Sequence, residues 1–163
     1  MGQANIRRSL DLVRTCGNCT ACCTLMEVRG DSKLPMFEGG VKPAGTSCPR
    51  LYTAETKGRG CAIYGERPTP CRAWSCVWRN GGDALSNAES PENTGIMFAA
   101  TQVAGVTVLY AYEVWEGAFG PAADLLERLA EKFVVALVGT SETYGDEVKV
   151  EKVRQALLMK NAG

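Results

Sequence analysis

Eight cysteines, at positions 16, 19, 22, 23, 48, 61, 71 and 76, fall within 61 residues, and the chain has no further cysteine and no histidine. Thiols at this density must be paired, left free or ligated, and each choice restricts the fold. The run Cys16-x2-Cys19-x2-Cys22 can turn three sulfurs toward one metal centre, and Cys23 follows directly as a fourth soft ligand. A Cys22–Cys23 disulfide would be strained, because successive side chains diverge while a disulfide needs facing Cβ atoms. Metal ligation is therefore the leading reading, with structural disulfides and a C-x2-C thiol relay as the lesser alternatives.

At 163 residues and 45% apolar, the chain is long enough for one globular domain. The first ten residues lack the apolar core of a signal peptide, and no stretch approaches the length needed to span a bilayer. The expectation is a soluble cytoplasmic protein with no membrane partner, in a compartment that keeps thiols reduced. The formal net charge of zero hides an asymmetry: residues 1–80 carry 12 Lys and Arg against 6 Asp and Glu, and residues 81–163 carry the reverse. A divalent ion held by four thiolates is a dianion, so ligation in the basic half would draw on its surplus cations. Those cations are dispersed rather than striped and lack aromatic interleaving, so nucleic acid is not an expected partner.

The pattern along the chain divides it into a cysteine-rich metal-binding lobe (1–80), a polar connector (81–94) and a small α+β lobe (95–163). Residues 1–15 read as a short amphipathic lead, with Ile6, Leu10 and Val13 at helical spacing. From 16 to 80 glycines and prolines recur every few residues, so a loop-rich segment is expected, with metal as its staple. Beyond the connector, Ile96–Thr101 and Val106–Trp115 read as a hairpin around Val103-Ala-Gly105, with Val106, Val108, Tyr110, Tyr112 and Val114 on one face. A helix follows Pro121, striped by Ala122, Leu125, Leu126, Leu129 and Phe133. Val134–Val138 reads as a buried strand, Val148 and Val150 as a brief strand, and Glu151–Lys160 as a closing helix. The expected class is α+β: a small antiparallel sheet with one or two packed helices behind the cysteine lobe.

The cysteine order continues as Cys48-Pro49, Cys61-Ala-Ile-Tyr64, then Arg67-Pro68-x-Pro70-Cys71-Arg72-x-Trp74-x-Cys76. This order resembles the CxxCxxCC family of zinc- or iron-chelating proteins, the YkgJ-like group. All eight cysteine positions of that pattern are filled over residues 16–76, together with the tyrosine and the Arg-Pro element. The resemblance implies metal chelation through Cys16, Cys19, Cys22, Cys23, Cys48, Cys61, Cys71 and Cys76. The metal stays open between an iron-sulfur cluster and Zn2+. Four thiolates make a closed zinc centre, whereas three thiolates in seven residues are also the usual cradle of a cubane, which tips the reading slightly toward iron-sulfur.

Diverging side chains would let one of Cys22 and Cys23 complete the first centre while the other reaches a second or remains a free thiol near it, and Cys71 and Cys76 close a centre with Cys48 and Cys61 in the expected partition. Arg72, beside a ligand, is a candidate hydrogen-bond donor to anionic sulfur, more so than Arg67; Tyr64 and Trp74 are candidate covers, as is Trp78. The catalytic residues are unknown: Glu113, Glu116 and Asp124 sit where strand and helix ends commonly carry carboxylates. Three functions compete. The chain works as a metal or cluster module in electron transfer, sensing or metal handling; as a two-zinc module with a protein partner on the C-terminal lobe; or as a methyltransferase-type enzyme. The last rests on family members described as flagellin lysine N-methylases. No Gly-x-Gly-x-x-Gly after a strand and no phosphate loop supports it.

Overall fold

The hairpin forms where the alternation places it, with the first strand two residues longer and the second two residues shorter than expected. The computed structural model, which describes residues 14–29, 40–52, 60–81 and 83–161, pairs β1 (Ile96–Val103) with β2 (Val106–Glu113) in antiparallel register from Ile96 opposite Glu113 to Val103 opposite Val106. The amphipathic lead built on Ile6, Leu10 and Val13 lies outside the described residues. Ala104 and Gly105 make the turn, both at positive φ, 49° and 76°. This is the backbone of a two-residue hairpin turn whose twist matches that of the strands.

The sheet is mixed, which corrects the expected antiparallel one. Its order is β1-β2-β3-β4, with β3 (Val134–Leu137) parallel to β2 and β4 (Thr143–Tyr144) antiparallel to β3. The physical reason is the connection: residues 114–133 include helix α4 (Ala123–Ala130), and a crossover of that length returns the chain to the same end of the sheet. The short turn after Leu137 instead reverses the chain.

Both faces of the sheet are covered. On one, Leu109 and Ala111 pack with Phe98, Val135, Leu126 and Leu129 into the main core against α4. On the other, Val108, Val134 and Val153 form a smaller cluster under α5 (Glu147–Asn161). The β2 face expected to be apolar therefore serves the lesser cluster, and the intervening residues build the core. The expected strand at Val148 and Val150 is helix, a second correction. Asp146 caps α5, its Oδ1 accepting the Lys149 N–H at 3.1 Å, and the helix leaves Val148 exposed while Val150 and Val153 face the sheet.

The segment read as a polar connector carries buried anchors. Leu85 joins the main core and Pro91 is buried at the start of α3 (Pro91–Thr94), which Ser90 caps through its hydroxyl. Arg14 donates to Trp78 O, Leu85 O and Asn87 Oδ1, each at 2.7 Å, and Arg128 donates to Ala84 O and Glu89 Oε1. Among the described residues, no helix is long and apolar enough to cross a membrane.

Ala104 occupies a left-handed conformation that costs a β-carbon residue roughly 1–2 kcal/mol and that asparagine tolerates. Ala104→Asn is expected to stabilise the protein by about 0.5 kcal/mol, seen as a higher urea midpoint at unchanged slope.

Candidate metal centre

Among the described residues 16–80, no helix exceeds five residues, so the cysteines are positioned by short elements tied together by single backbone bonds. Cys19 N–H closes a turn on Cys16 O at 2.7 Å, and α1 (Ala21–Leu25) then carries Cys22 and Cys23 on diverging faces. Cys48 is drawn to Cys23 by its N–H on the Cys23 carbonyl at 3.0 Å. Cys61 is placed by an isolated bridge to Leu51. A 3-10 turn (Tyr64–Glu66) and Pro68 lead into α2 (Thr69–Ala73), which carries Cys71. Cys76 follows on a segment whose next residue, Val77, donates to Phe98 O on the edge strand β1 at 2.9 Å.

Glycine is required at one of these contacts. A Cβ on Gly60, whose φ is +85°, would lie 2.5 Å from Gly17 O in the Cys16–Cys19 turn. The close approach seats that turn against the chain entering Cys61.

All eight cysteines are free and half-buried, and they line two adjoining cavities. Cys23, Cys48 and Cys61 line only the larger, of about 220 Å³. Cys16, Cys19 and Cys76 line only the smaller, of about 30 Å³. Cys22 and Cys71 lie on both walls. Cys71 is felt with Cys48 and Cys61, whereas Cys22 neighbours both sets: it is the leading sulfur neighbour of Cys19 and of Cys76, and it also acts on Cys71 and bonds to Cys23. Cys16, Cys19 and Cys76 thus lie on one side and Cys23, Cys48, Cys61 and Cys71 on the other, with Cys22 between them. Cys23 faces only the larger cavity and Cys22 reaches both, while their two thiols stay within hydrogen-bond reach of one another. Cys76, expected beside Cys48 and Cys61, faces the other cavity because Val77 pins its segment to β1. Among the described residues, no three Cys, Asp or Glu side chains stand close enough to hold one ion as they are placed.

The metal-free thiols do not share one proton affinity. Burial pushes Cys19 up to about 11, against the Ala21 N–H that points at its sulfur. Burial also raises Cys76, against the backbone N–H groups of Arg79 and Trp78, and raises Cys71. Cys22 is lowered, chiefly by the thiol hydrogen bond it accepts from Cys23, with Arg67 assisting; the same bond holds the proton on Cys23.

Among the residues expected around the sulfurs, Trp74 lines both cavities. Arg72 lines neither and is exposed, donating to Thr69 Oγ1 at 3.4 Å. Arg67 takes the place expected for it: it lines both cavities, donates to Tyr64 O and Cys71 O, and lies 3.8 Å over the Tyr64 ring. Tyr64 acts through arginines, accepting from Arg79 Nη2 as well. Glu113 accepts the Phe119 N–H at 2.9 Å and so fixes a turn.

Two cations were not anticipated. Lys42 is 2% exposed, with Nζ donating to the carbonyls of Thr24, Pro43 and Thr46, and it pairs with Val28 through the backbone. Burial lowers its pKa while Cys48, Cys23, Cys22 and Cys71 oppose that. Arg79 lines the smaller cavity, and its Nε is buried without an acceptor. No local pattern marks Lys42; Arg79 follows Cys76 at the x2 spacing already used by the first three cysteines.

A donor set of thiols alone, with backbone N–H groups aimed at sulfur and fixed cations nearby, fits soft-metal ligation. It suits zinc and iron-sulfur alike. No family model, curated protein or solved structure matches the chain.

Two outcomes follow from this geometry. Gly60→Ala is expected to cost about 1–3 kcal/mol in a urea titration, because it adds both a strained φ and a backbone clash. In reduced, metal-free protein, Cys22 is expected to be alkylated by iodoacetamide at lower pH than any thiol raised by burial, with Cys19 unreacted near neutrality. Peptide mapping across a pH series checks this, and equal reactivity of Cys19 and Cys22 would contradict it.

Proposed function

We propose that the chain is a thiolate metal-binding protein, holding an iron-sulfur cluster or zinc through its eight cysteines and related to the CxxCxxCC group. The observation that carries this reading is the convergence of eight free thiols, from separate short segments, on two adjoining cavities walled by Lys42, Arg67 and Arg79. Crowded thiols resist ionising together, since each thiolate raises its neighbours. A bound cation removes that penalty and takes the protons' place.

The chain's own residues then have definite tasks. Cys16, Cys19, Cys22 and Cys76 would serve one centre, and Cys23, Cys48, Cys61 and Cys71 the other. Arg67 and Lys42 offset the thiolate charge, and Trp74 keeps water from the sulfurs. Iron-sulfur would supply one-electron chemistry, and zinc would supply folding energy alone. Electron transfer, sensing or metal handling follows from the first, and a structural interaction module from the second. Since the sulfurs must draw together to share an ion, binding is coupled to tightening of residues 14–80.

Anaerobic purification with elemental analysis and a visible spectrum tests the reading. Metal is expected in the isolated protein, and chelation is expected to lower its thermal midpoint and to open the cysteine segment to protease while the sheet of residues 96–144 persists. Metal-free native protein with its thiols joined in disulfides would end the proposal.

A further inference from the structure

The two cysteine cavities differ several-fold in size, at about 220 and 30 Å³. The smaller has room for roughly two water-sized spheres. Its wall cannot easily widen: Met97 is fully buried on β1, while Ala21 and Pro91 are buried beside it. An iron-sulfur cluster brings inorganic sulfide as well as iron between its four thiolates, whereas a single ion brings only itself.

The smaller set also has hydrogen-bond donors in place for anionic sulfur. Backbone N–H groups reach two of its sulfurs from outside, Ala21 toward Cys19 and Trp78 with Arg79 toward Cys76. The buried Arg79 Nε adds a further donor that lacks an acceptor until an anionic sulfur is present. The larger cavity is lined by Met26 and Ile63 and by four cations, Arg29, Lys42, Arg50 and Arg67, of which Arg29 is paired with Glu27. That is the charge and room a polynuclear cluster requires.

We propose that the two centres are of different kinds: Cys16, Cys19, Cys22 and Cys76 hold a single ion, and Cys23, Cys48, Cys61 and Cys71 hold an iron-sulfur cluster. The assignment rests on the thiolate metal-binding reading above. Each ligating thiol loses its proton to solvent as a metal–sulfur bond forms. The cluster takes its iron and sulfide from outside the protein, and assembly needs ferrous iron, ferric iron and inorganic sulfide as co-reactants: two Fe(II), two Fe(III) and four sulfides make a [4Fe-4S]2+ core with no net gain or loss of electrons.

The test uses the full chain, reduced, stripped of metal and loaded anaerobically with ⁵⁷Fe(II), ⁵⁷Fe(III) and sulfide, read by Mössbauer spectroscopy with iron and labile-sulfide analysis. Two iron populations are expected, one a cluster and one a lone tetrathiolate iron. Cys19→Ser is expected to remove only the lone iron, and Cys61→Ser only the cluster with its labile sulfide. Because the two populations are read on the unaltered chain, the outcome does not depend on either variant folding. A single population, sulfide that survives Cys61→Ser, or loss of the same population in both variants overturns the assignment while leaving metal binding intact. A chain that takes up zinc but no iron overturns the assignment alone, and one that takes up neither overturns the metal-binding reading itself.

Discussion

Mutual repulsion among crowded thiolates is the constraint on which the first half of this molecule depends. Eight sulfurs on adjoining cavities are stable as neutral thiols or as ligands, but not as bare anions. Fixed cations decide how far that balance can move. Lys42 is held by three carbonyls and Arg67 is stacked on Tyr64, so neither charge can swing into solvent. Among the described cations of residues 1–80, Arg29, Lys42, Arg50, Arg67 and Arg79 line the two cavities.

The sheet matters to the cysteines through its edge. Phe98 O receives the Val77 N–H, and Met97, on the same strand, forms part of the smaller cavity. Val77 and Trp78 pack against the main core, so the last cysteine rests on the best-packed part of the protein. The remaining thiols depend on single bridges and turns, where each lost hydrogen bond has a larger effect.

What the sequence revealed follows from how local each feature is. The hairpin and α4 were legible because alternation and a helical stripe lie within their own residues. The parallel pairing of β2 with β3 was not, since it depends on where a crossover returns the chain. Val148 and Val150 resemble a strand, yet the Asp146 cap and the inward turn of Val150 and Val153 decide for helix. Within the site, the cysteine positions could be read directly, but the hydrogen bond between the Cys22 and Cys23 thiols could not. The place of Cys76 could not, because it is set by docking on β1. Arg72 looked favourable as the neighbour of a ligand, but on a short helix a neighbour points elsewhere, and Arg67 reaches back instead.

The Arg14 contacts have a consequence for the segment they enclose. This side chain, two residues ahead of Cys16, bonds the carbonyl of Trp78, two residues past Cys76, and its guanidinium lies 5.6 Å from the indole. The whole stretch is thereby a circuit fastened at its base before any ligand arrives. Part of the entropy of gathering its far-apart members is spent when the clasp forms, which shortens the loop that any later tightening has to close.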